Sequence, residues 1–475
     1  MDAQYSLFLI APAMDSAKRN KAFGIKLPLM GYPAISLAMI AALTPENFNI
    51  RLIDGANEPI PYETPCDLAL IVGQTHHMPS VYKIAEQLHA RGTKVILGGM
   101  HVTEMPEEAL KYADAVIIGE GESVWEEILK DFTKGILKKK YYGTEVDLSK
   151  LPPIRRDLFS DKFYHPGQII ETTRGCPVGC HFCAVQNFFG NTFRVRPPEA
   201  VKKELMDIFG PRPPQAKWKN WLATNWHPDI PYFIERRLLY VMDSNLMSEP
   251  AHARKILEVF KECDIRWYGH TSFNLFRDES MLDLLAESGC MAVNIGFESL
   301  SQSVVDKMHK SPNITKEYTD CIKALHDREI GIMGTFMVGF DEDTLEVFDH
   351  IVDFAIQNRL ETAFTLILTP LPGTKVCQQM VAQNRIFSKN WRDYDHGTVT
   401  FYPQNMTPRQ LHLGMRSVWK RIYSWKGIYS RILKKPRIRP FFFLPVNMGF
   451  RKSTRLICSE KIWPVPQEVN SWRSI

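Results

Sequence analysis

Short apolar runs alternate with helical patterns along the first 145 residues. The runs YSLFLIAP, NIRLID, DLALIVG, KVILGG and DAVIIGEGE have the length and hydrophobicity of buried strands. Between them, AISLAMIAAL, SVYKIAEQLHAR and ESVWEEILKDF have the pattern of helices. Strands that alternate with helices in this way predict a parallel sheet covered on both faces. Residues 1–145 are therefore predicted to form one α/β domain.

A second alternation begins after a polar, proline-containing stretch, GTEVDLSKLPPIRRDLF, which places a predicted linker at residues 146–164. Its strands are predicted in QIIETT, RLLYVMD, IRWYGHT, AVNIGFES, GIMGTFMVGF and TAFTLILTP. Six such strands with helices between them predict a partial (β/α)6 barrel over residues 165–375. In parallel barrels the chemistry gathers at the C-terminal ends of the strands.

One segment, at about residues 210–237, interrupts the barrel pattern. It reads FGPRPPQAKWKNWLATNWHPDIPYFIERR, with little helical period, and is predicted to be a loop insertion. Its three tryptophans, Trp218, Trp221 and Trp226, have three candidate roles. They could cap the barrel, line an apolar substrate pocket or lie at a membrane interface.

The net charge of +5 conceals a strongly basic C-terminal extension, residues 376–475. Twelve Lys and Arg and no Asp or Glu lie between Arg416 and Arg455, so the rest of the chain is net acidic. The same stretch contains RPFFFLPVNMGF. Basic residues interleaved with aromatics suit lipid headgroups or RNA. A helix packed on the main body with a solvated basic face is the third interpretation.

Composition indicates the compartment. The N-terminus lacks the basic region of a signal peptide, and no apolar run approaches the ~18 residues that cross a bilayer. Nine scattered cysteines fit a reducing compartment better than a disulfide framework. We therefore expect a cytoplasmic protein, with the basic extension as a candidate for peripheral membrane contact.

The stretch RGCPVGCHFC places Cys176, Cys180 and Cys183 within eight residues. Thiolates hold zinc or iron–sulfur clusters, but a structural zinc usually takes four ligands, and His181 fits no usual zinc spacing. Three cysteines can anchor three irons of a four-iron cluster and leave the fourth iron open to an exogenous ligand. This pattern therefore favours a cluster that takes part in chemistry.

The motif CxxxCxxC, with an aromatic before its last cysteine and placed after the first barrel strand, resembles that of the radical S-adenosylmethionine (SAM) enzymes. The segments GCMAVNIGFESLSQSVVDKMHK, GIMGTFMVGFDEDT and TPLPGT extend the resemblance over about residues 165–375. The resemblance implies a [4Fe–4S] cluster on Cys176, Cys180 and Cys183, with SAM on the open iron. Reductive cleavage of SAM would then release a 5′-deoxyadenosyl radical.

The same resemblance implies a set of SAM contacts. Phe182 would lie against the adenine, and Glu298 in GFES would hydrogen-bond to SAM. The stretch VMDSNL stands where the family often has Gly-Gly-Glu, so its polar residues are candidates for the SAM amino group. The predicted SAM contacts are Phe182, Asp243, Ser244, Asn245, Glu298 and Gly339, the last together with the TPLPGT loop. For Asn245 and Glu298, a purely local role at a strand end remains the alternative.

The segment KVILGGMHVTEMPEEAL…ADAVIIGEGE resembles the Rossmann-like cobalamin-binding domain of one branch of that family. The residues that carry this resemblance are Gly98, Gly99, His101, Thr103, Gly119, Glu120 and Gly121. The motif Asp-x-His-x-x-Gly, whose histidine ligates cobalt in some B12 enzymes, is absent. His76, His77 and His101 are candidate neighbours of the ring, and we expect cobalt without a histidine ligand. A degenerate domain without cobalamin is the alternative.

In this branch the usual reaction is methylation of an unactivated carbon, with methylcobalamin as the methyl donor and a second SAM to regenerate it. The resemblance therefore implies a C-methyltransferase that acts on a hydrophobic substrate, either a tetrapyrrole pigment precursor or a polycyclic lipid. It also implies an external electron donor of flavodoxin or ferredoxin type.

Three other functions compete with methylation. The first is a cobalamin-dependent cyclase, rearranging or oxidising enzyme, and the second is a non-catalytic cluster or corrinoid protein. The third is an RNA methylthiotransferase, which needs three further cysteines in its N-terminal domain, where this chain has only Cys66. Nucleic acid is therefore not favoured as a partner.

Overall fold

The computed structural model describes residues 4–13, 33–159, 168–212, 216–434 and 439–457. Residues 160–164 of the predicted linker, 165–167 of the predicted barrel, 213–215 of the insertion and 458–475 of the C-terminal extension lie outside the described residues. The described chain contains two six-stranded sheets, each parallel throughout. The predicted α/β class is confirmed.

The first sheet has the strand order β2-β1-β3-β4-β5-β6. Its strands are β1 Tyr5–Ala11, β2 Phe48–Asp54, β3 Leu68–Val72, β4 Lys94–Gly98, β5 Ala115–Ile118 and β6 Lys140–Tyr142. Leu7 and Leu9 of β1 pack in one apolar cluster, and Phe8 and Ile10 pack in the cluster on the opposite face. Both faces are covered, which is why the strands read as continuous apolar runs. Strand β6 was not predicted.

The second sheet has the strand order β14-β13-β12-β11-β10-β7, so its strands adjoin in chain order. They are β7 Gln168–Ile170, β10 Leu238–Val241, β11 Arg266–Thr271, β12 Cys290–Glu298, β13 Gly331–Val338 and β14 Thr362–Ile367. Five of the six strands lie within the stretches predicted for the barrel, and β12 begins at Cys290, two residues before its predicted stretch AVNIGFES. The strand predicted in QIIETT needs a correction, because only its first half belongs to this sheet. The chain then leaves the sheet, and β8, Thr173–Arg174, pairs antiparallel with β9, Arg194–Val195.

Helices connect the strands and cover the sheets. In the first half they are Ile35–Ala42, Met78–His89, Met100–Glu104, Pro106–Ala109 and Trp125–Thr133. In the second half they are Ala184–Phe189, Pro198–Phe209, Lys217–Asn225, Ile230–Ile234, Pro250–Glu262, Glu279–Glu287, Gln302–Lys307, Tyr318–Asp327, Val347–Gln357 and Lys375–Ala382. The C-terminal extension forms Pro408–Ile422, Trp425–Ile428, a π-helical turn Tyr429–Leu433 and Pro440–Ile457.

The insertion is helical, contrary to the prediction of a loop. It forms Lys217–Asn225 and Ile230–Ile234, the second with a proline in its first turn, where a missing N–H costs nothing. Trp218, Trp221 and Trp226 are 54%, 57% and 73% exposed. They neither cap the barrel nor line a buried pocket.

The aromatic part of the C-terminal extension is core. Phe443 is fully buried against the start of β13, where the ring leaves no room for a side chain on Gly331. Phe442 and Phe443 share an apolar cluster with Leu238 and Met291, which begin or nearly begin their strands. The FFF stretch therefore closes the N-terminal end of the second sheet, as the packed-helix interpretation proposed. None of the described helices combines the length and hydrophobicity needed to cross a membrane.

Candidate active site at the facing strand ends

The three motif cysteines lie on the loop of the β8–β9 hairpin. Gly175, the first residue of this loop, has φ +92°, and a Cβ there would lie 2.1 Å from the carbonyl oxygen of Thr192. Gly179 also has a positive φ, of +77°. Both positions favour glycine because an L-residue is strained in this region. The glycines thus let the loop fold back onto its own stem and bring the cysteines close together.

The thiols of Cys176, Cys180 and Cys183 are free and partly buried. Burial raises the pKa of Cys180 to about 12, although the nearby ammonium of Lys310 acts in the opposite direction. No three His, Cys, Asp or Glu side chains in the described ranges converge on one metal ion. A mononuclear zinc site needs such convergence, whereas in a four-iron cluster each thiolate binds a different iron. His181 instead stacks on His309, with ring centroids 4.0 Å apart.

Beside the cysteines, Glu298 ends β12 in a strained conformation with φ +60°. Its Oε1 accepts a hydrogen bond of 2.5 Å from Nζ of Lys310. A Cβ on Gly296 would lie 2.2 Å from that same Oε1, so the glycine leaves room for the ion pair. Lys310 was not predicted, because no motif marks it. It returns to the site through the turn after helix Gln302–Lys307.

The three polar residues of the stretch VMDSNL lie in three different environments. The buried carboxylate of Asp243 accepts hydrogen bonds from the backbone N–H groups of Thr172 and Thr173, at 2.6 and 3.0 Å, and from the hydroxyl of Thr172. It therefore fastens the approach to the cysteine hairpin, and a direct contact with SAM stays a prediction. Ser244 is exposed. Asn245 is buried just beyond β10, and its Oδ1 has no hydrogen-bond partner among the described residues, so it can serve a ligand.

The predicted adenosine contacts lie near each other. The ring of Phe182 meets that of Phe340 edge to face at 6.5 Å, and Phe340 directly follows Gly339. Gly339 has φ +102°, and its N–H donates to Oδ2 of Asp343 at 2.8 Å. Burial raises the pKa of Asp343 to about 6.

A crevice opens between the carboxyl ends of the first sheet and the cysteine hairpin. It encloses about 160 Å³, whereas one water needs roughly 10–15 Å³, so it has the size for an organic ligand. Residues from both halves of the chain line it, among them Leu70, Val72, Gly98, Gly99, Ile117, Gly119, Glu120, Gly121, Glu171, Arg174, Phe188, Phe189 and Arg196.

The remaining residues that suggested cobalamin do not line this crevice. Thr103 accepts a hydrogen bond from the backbone N–H of Gly119 at 3.0 Å and so shapes the glycine loop. His101 is buried edge-on to Trp391, and burial lowers its pKa to about 4. The rings of His76 and His77 lie in contact at a tilt of 51°, with centroids 4.1 Å apart.

One carboxylate joins the two halves of the site. Glu120 is only 3% exposed, and it accepts from Arg174 at 2.7 Å and from Arg194 at 3.1 Å. These arginines are the two stems of the cysteine hairpin. Glu120, predicted as a cobalamin contact, thus lines the crevice and also clamps the hairpin. The sequence could not show this, because the two arginines and Glu120 are far apart along the chain.

A second polar pair joins the neighbouring strands β10 and β11. The hydroxyl of Tyr240 on β10 is 2.9 Å from Nε2 of His270 on β11. Burial lowers the pKa of His270 to about 4, and the ammonium of Lys310 acts in the same direction, so the imidazole is neutral at ordinary pH. Tyr240 also stacks on Tyr268, with ring centroids 5.0 Å apart. The pair offers a hydrogen bond in otherwise aromatic surroundings.

Known families match both halves of the chain. The model described as the radical SAM superfamily matches residues 170–355, and that of the B12 binding domain matches residues 30–129. The chain thus contains a radical SAM domain and a B12-binding domain. A radical SAM domain implies a [4Fe–4S] cluster and SAM, and a B12-binding domain implies cobalamin.

Similar proteins align over most of this radical SAM chain. It is 28% identical to bacteriochlorophyllide d C-12(1)-methyltransferase of Chlorobaculum tepidum, over 95% of this chain and 94% of the relative. It is 24% identical to the anaerobic magnesium-protoporphyrin IX monomethyl ester cyclase of Cereibacter sphaeroides, over 81% of this chain and 64% of that protein. Its fold resembles the methyltransferase TsrM of Kitasatospora setae, solved with cobalamin and a [4Fe–4S] cluster, at TM-score 0.65 and 15% identity over 96% and 99% of the chains.

The residues of this chain fit the [4Fe–4S] cluster, SAM and cobalamin. Three free thiols on a glycine-shaped loop suit a cluster with an open iron. Asn245, with its unpartnered buried Oδ1, and the cradled Glu298 offer polar contacts to SAM. The glycine-lined crevice offers the first sheet's strand ends to a corrin ring, as open α/β sheets generally do.

Proposed function

We propose that this protein is a cobalamin-dependent radical SAM methyltransferase that methylates an unactivated carbon of a hydrophobic tetrapyrrole. One observation carries the proposal. The cysteine hairpin and the glycine ends of the first sheet border a single crevice, and Glu120 joins them. We take residues 1–145 as the cobalamin domain and 165–375 as the radical SAM domain.

The protein's own part in this reaction is to bind, orient and shield. Cys176, Cys180 and Cys183 would hold the cluster, and Asn245 and Glu298 would orient the polar groups of SAM. Lys310 compensates the charge of Glu298 and adds a cation beside the cysteines. When bound, the cofactors supply a carbon-centred radical and a transferable methyl group, with an external flavodoxin- or ferredoxin-type protein as the reductant.

The substrate class follows from the lining and from the relatives. Phe188, Phe189 and the aliphatic side chains of the first sheet make the crevice predominantly apolar. The half-buried ring of Tyr240 adds an aromatic surface beside His270 on the neighbouring strand. Such surroundings suit a planar macrocycle, and the methyltransferase aligned over 95% of the chain acts, by its name, on a bacteriochlorophyllide. A polycyclic lipid is the second substrate class.

Ring closure or oxidation without methyl transfer is the second candidate function. The observation in its favour is the 24% identity to a magnesium-protoporphyrin cyclase. Methylation is preferred because the methyltransferase aligns over 94% of its own length and the cyclase over 64%. S-adenosylhomocysteine separates the two functions, because only methyl transfer from SAM produces it.

The test uses the full-length protein, purified anaerobically and supplied with iron, sulfide and hydroxocobalamin. It is incubated with a reductant, methyl-labelled SAM and a bacteriochlorophyllide. The proposal predicts label in a tetrapyrrole product by mass spectrometry, together with 5′-deoxyadenosine and S-adenosylhomocysteine. Deoxyadenosine without transferred label or homocysteine would contradict methylation and support the cyclase function.

A further inference from the structure

An exposed aromatic face covers the end of the second sheet opposite the candidate site. Two distant parts of the chain build it, the insertion before β10 and the C-terminal helices. The ring of Phe441 joins them, since its centroid lies 4.7 Å from that of His227 and 5.2 Å from that of Phe233. We call the exposed aromatic and apolar side chains of these two segments the basal aromatic face; its members are Trp218, Trp221, Trp226, Trp425, Tyr429 and Met448.

Helix Pro440–Ile457 packs one side into the core, with Phe443 fully buried and Phe450 7% exposed. Phe441 and Leu444 are partly buried and pack against the cluster that contains Phe443. Met448 is 48% exposed, so the helix also presents an apolar side chain to its surroundings.

The neighbouring π-helical turn and the insertion expose aromatics of the same kind. Trp425 and Tyr429 are 54% and 56% exposed, comparable to Trp218 and Trp221. The guanidinium of Arg451 lies 4.9 Å from the ring of Trp425, which places a cation beside the exposed indole. Both of the segments that meet at Phe441 thus expose aromatic side chains.

The two segments that carry this face are rich in positive charge. No Asp or Glu occurs between Arg416 and Arg455. Lys217, Lys426 and Lys434 are exposed, and Arg451 and Lys452 are partly exposed. The acidic residues of the insertion are already paired.

These pairs involve two carboxylates. Glu235 pairs with Arg212 and Lys219, and the buried Asp229 pairs with Arg266 and Arg439. Within these two segments, the lysines are therefore the exposed charges that would lie against an anionic surface.

We propose that the basal aromatic face docks this protein peripherally on an anionic bilayer. Trp and Tyr favour the headgroup region, where an indole or phenol has one apolar and one polar side, and lysines are drawn to anionic lipids. The face lies at the N-terminal ends of the strands, so docking holds the enzyme at the membrane while the cysteine hairpin points away. This inference stands without the proposed function.

The test is flotation of the full-length holoenzyme with vesicles of phosphatidylcholine, with and without phosphatidylglycerol. Wild type should float with the anionic vesicles, and added salt should release it. Lys426→Gln with Lys452→Gln should lower the partition coefficient by roughly 25-fold, since each lysine at the surface is worth about 1 kcal/mol, or about fivefold. The matched control, Lys134→Gln, changes an exposed lysine of the other half of the chain and should bind as wild type does.

The aromatic contribution is tested in the same way. Trp221→Ser with Trp425→Ser should abolish flotation, whereas Ile136→Ser with Tyr142→Ser, at side chains 59% and 66% exposed on the first half, should not. Lipids brominated near the headgroup should quench the tryptophan fluorescence of the wild type. The two face variants and the two control variants should all retain 5′-deoxyadenosine formation, which separates this inference from the proposed function.

Three results would overturn the proposal. The first is equal flotation of the wild type and both face variants. The second is wild-type fluorescence that brominated lipid leaves unchanged. The third is a wild-type dimer, seen by light scattering, that the tryptophan variant converts to monomer, because a second copy of the chain would then cover the face.

Discussion

The two ends of the second sheet differ in the groups that lie there. The carboxyl ends carry the three free thiols and the Glu298–Lys310 pair, with Asn245 Oδ1 buried without a partner among the described residues. At the opposite end, the fully buried Arg431 donates to the carbonyls of Leu360, Glu361 and Ile422 and to Asn447 Oδ1. Phe442 and Phe443 pack against the starts of the strands at that end.

This difference separates two roles. Unpaired polar atoms and positive φ values occur at both ends, since Thr362 Oγ1 and Arg431 Nε also lack a partner in the described chain and Asp264 also has a positive φ. The carboxyl ends are distinguished by the free thiols of the cysteine loop and the ion pair beside them, which a cluster and its ligand can use. Paired buried groups and close aromatic packing serve the stability of the fold. Changes at the carboxyl ends should therefore alter the chemistry, and changes at the opposite end should alter unfolding.

The largest effect is expected at the cysteine hairpin. Cys180→Ala should abolish the cluster and SAM cleavage, because a four-iron cluster held by two thiolates is lost. Cobalamin binding should remain, since the first sheet supplies most of its crevice. Iron content and bound cobalamin are measured on the same preparation. Cys263→Ala, at a buried cysteine of the apolar core, is the control and should retain iron; joint loss of both cofactors in Cys180→Ala would contradict this division.

The opposite end should respond in stability alone. Arg431→Met removes a donor from three carbonyls and from Asn447 Oδ1, and of these the Glu361 carbonyl still accepts from Asn447 Nδ2. The free energy of unfolding should therefore fall by roughly 3–4 kcal/mol. Urea unfolding followed by circular dichroism measures this. Arg421→Met, which removes an exposed pair with Asp349, should cost less than about 1 kcal/mol. Loss of SAM cleavage in the folded Arg431 variant would contradict the separation of roles.

A pH dependence should come from the carboxyl ends. Because burial raises the pKa of Asp343 to about 6, the folded protein binds more protons than the unfolded chain between about pH 4 and pH 6. Stability should therefore fall as pH rises through this window, by roughly 2–3 kcal/mol. Asp343→Asn keeps the oxygen that accepts from Gly339 and Phe340. Urea unfolding of the apoprotein should show less pH dependence in this variant; an unchanged slope would reject the assignment.

A smaller effect is expected at the Glu298–Lys310 pair. Lys310→Gln removes the partner that holds Glu298 toward the site, so the dissociation constant of SAM should rise about tenfold, which corresponds to about 1.4 kcal/mol. Equilibrium binding to the cluster-loaded protein measures it. Lys307→Gln, which loses a surface pair with Glu342, should bind SAM as wild type does. Equal affinities for all three proteins would remove Lys310 from the site.

The smallest effect is expected at Glu120, which holds Arg174 and Arg194 of the cysteine hairpin. Glu120→Gln keeps the shape of the side chain but weakens its hold on Arg174 and Arg194, so the hairpin and the crevice should lose alignment. Iron and cobalamin should remain bound, and the yield of methylated product per deoxyadenosine should fall about fivefold, since reaction depends on the positioning of the groups. Glu122→Gln, which touches only Arg174 of the two stems, is the control. A full yield in Glu120→Gln would show that the clamp does not position the hairpin.

Local patterns predicted the architecture because strands buried on both faces read directly as apolar runs. The Cys motif and glycine loops were likewise visible, since they lie within short segments. Prolines and tryptophans disguised the helices of the insertion, whose exposed positions show no amphipathic period. The burial of the FFF stretch depends on the distant Gly331.

The partners that complete the site could not be predicted for the same reason. Lys310 meets Glu298, and Arg174 meets Glu120, only through the tertiary fold. Asp243 was assigned to SAM from its place in a motif, but the backbone amides of Thr172 and Thr173 take its carboxylate. Buried backbone donors must find acceptors, and which acceptor serves them is decided by packing.

The central claim is that the strand ends of both halves border one shared site. Pulsed electron paramagnetic resonance on the full-length protein, loaded with cob(II)alamin and the reduced cluster, tests it most directly. The account predicts a dipolar coupling between the two spins with one narrow distance distribution, broadened in Glu120→Ala. Two uncoupled spins in the wild type would contradict the account.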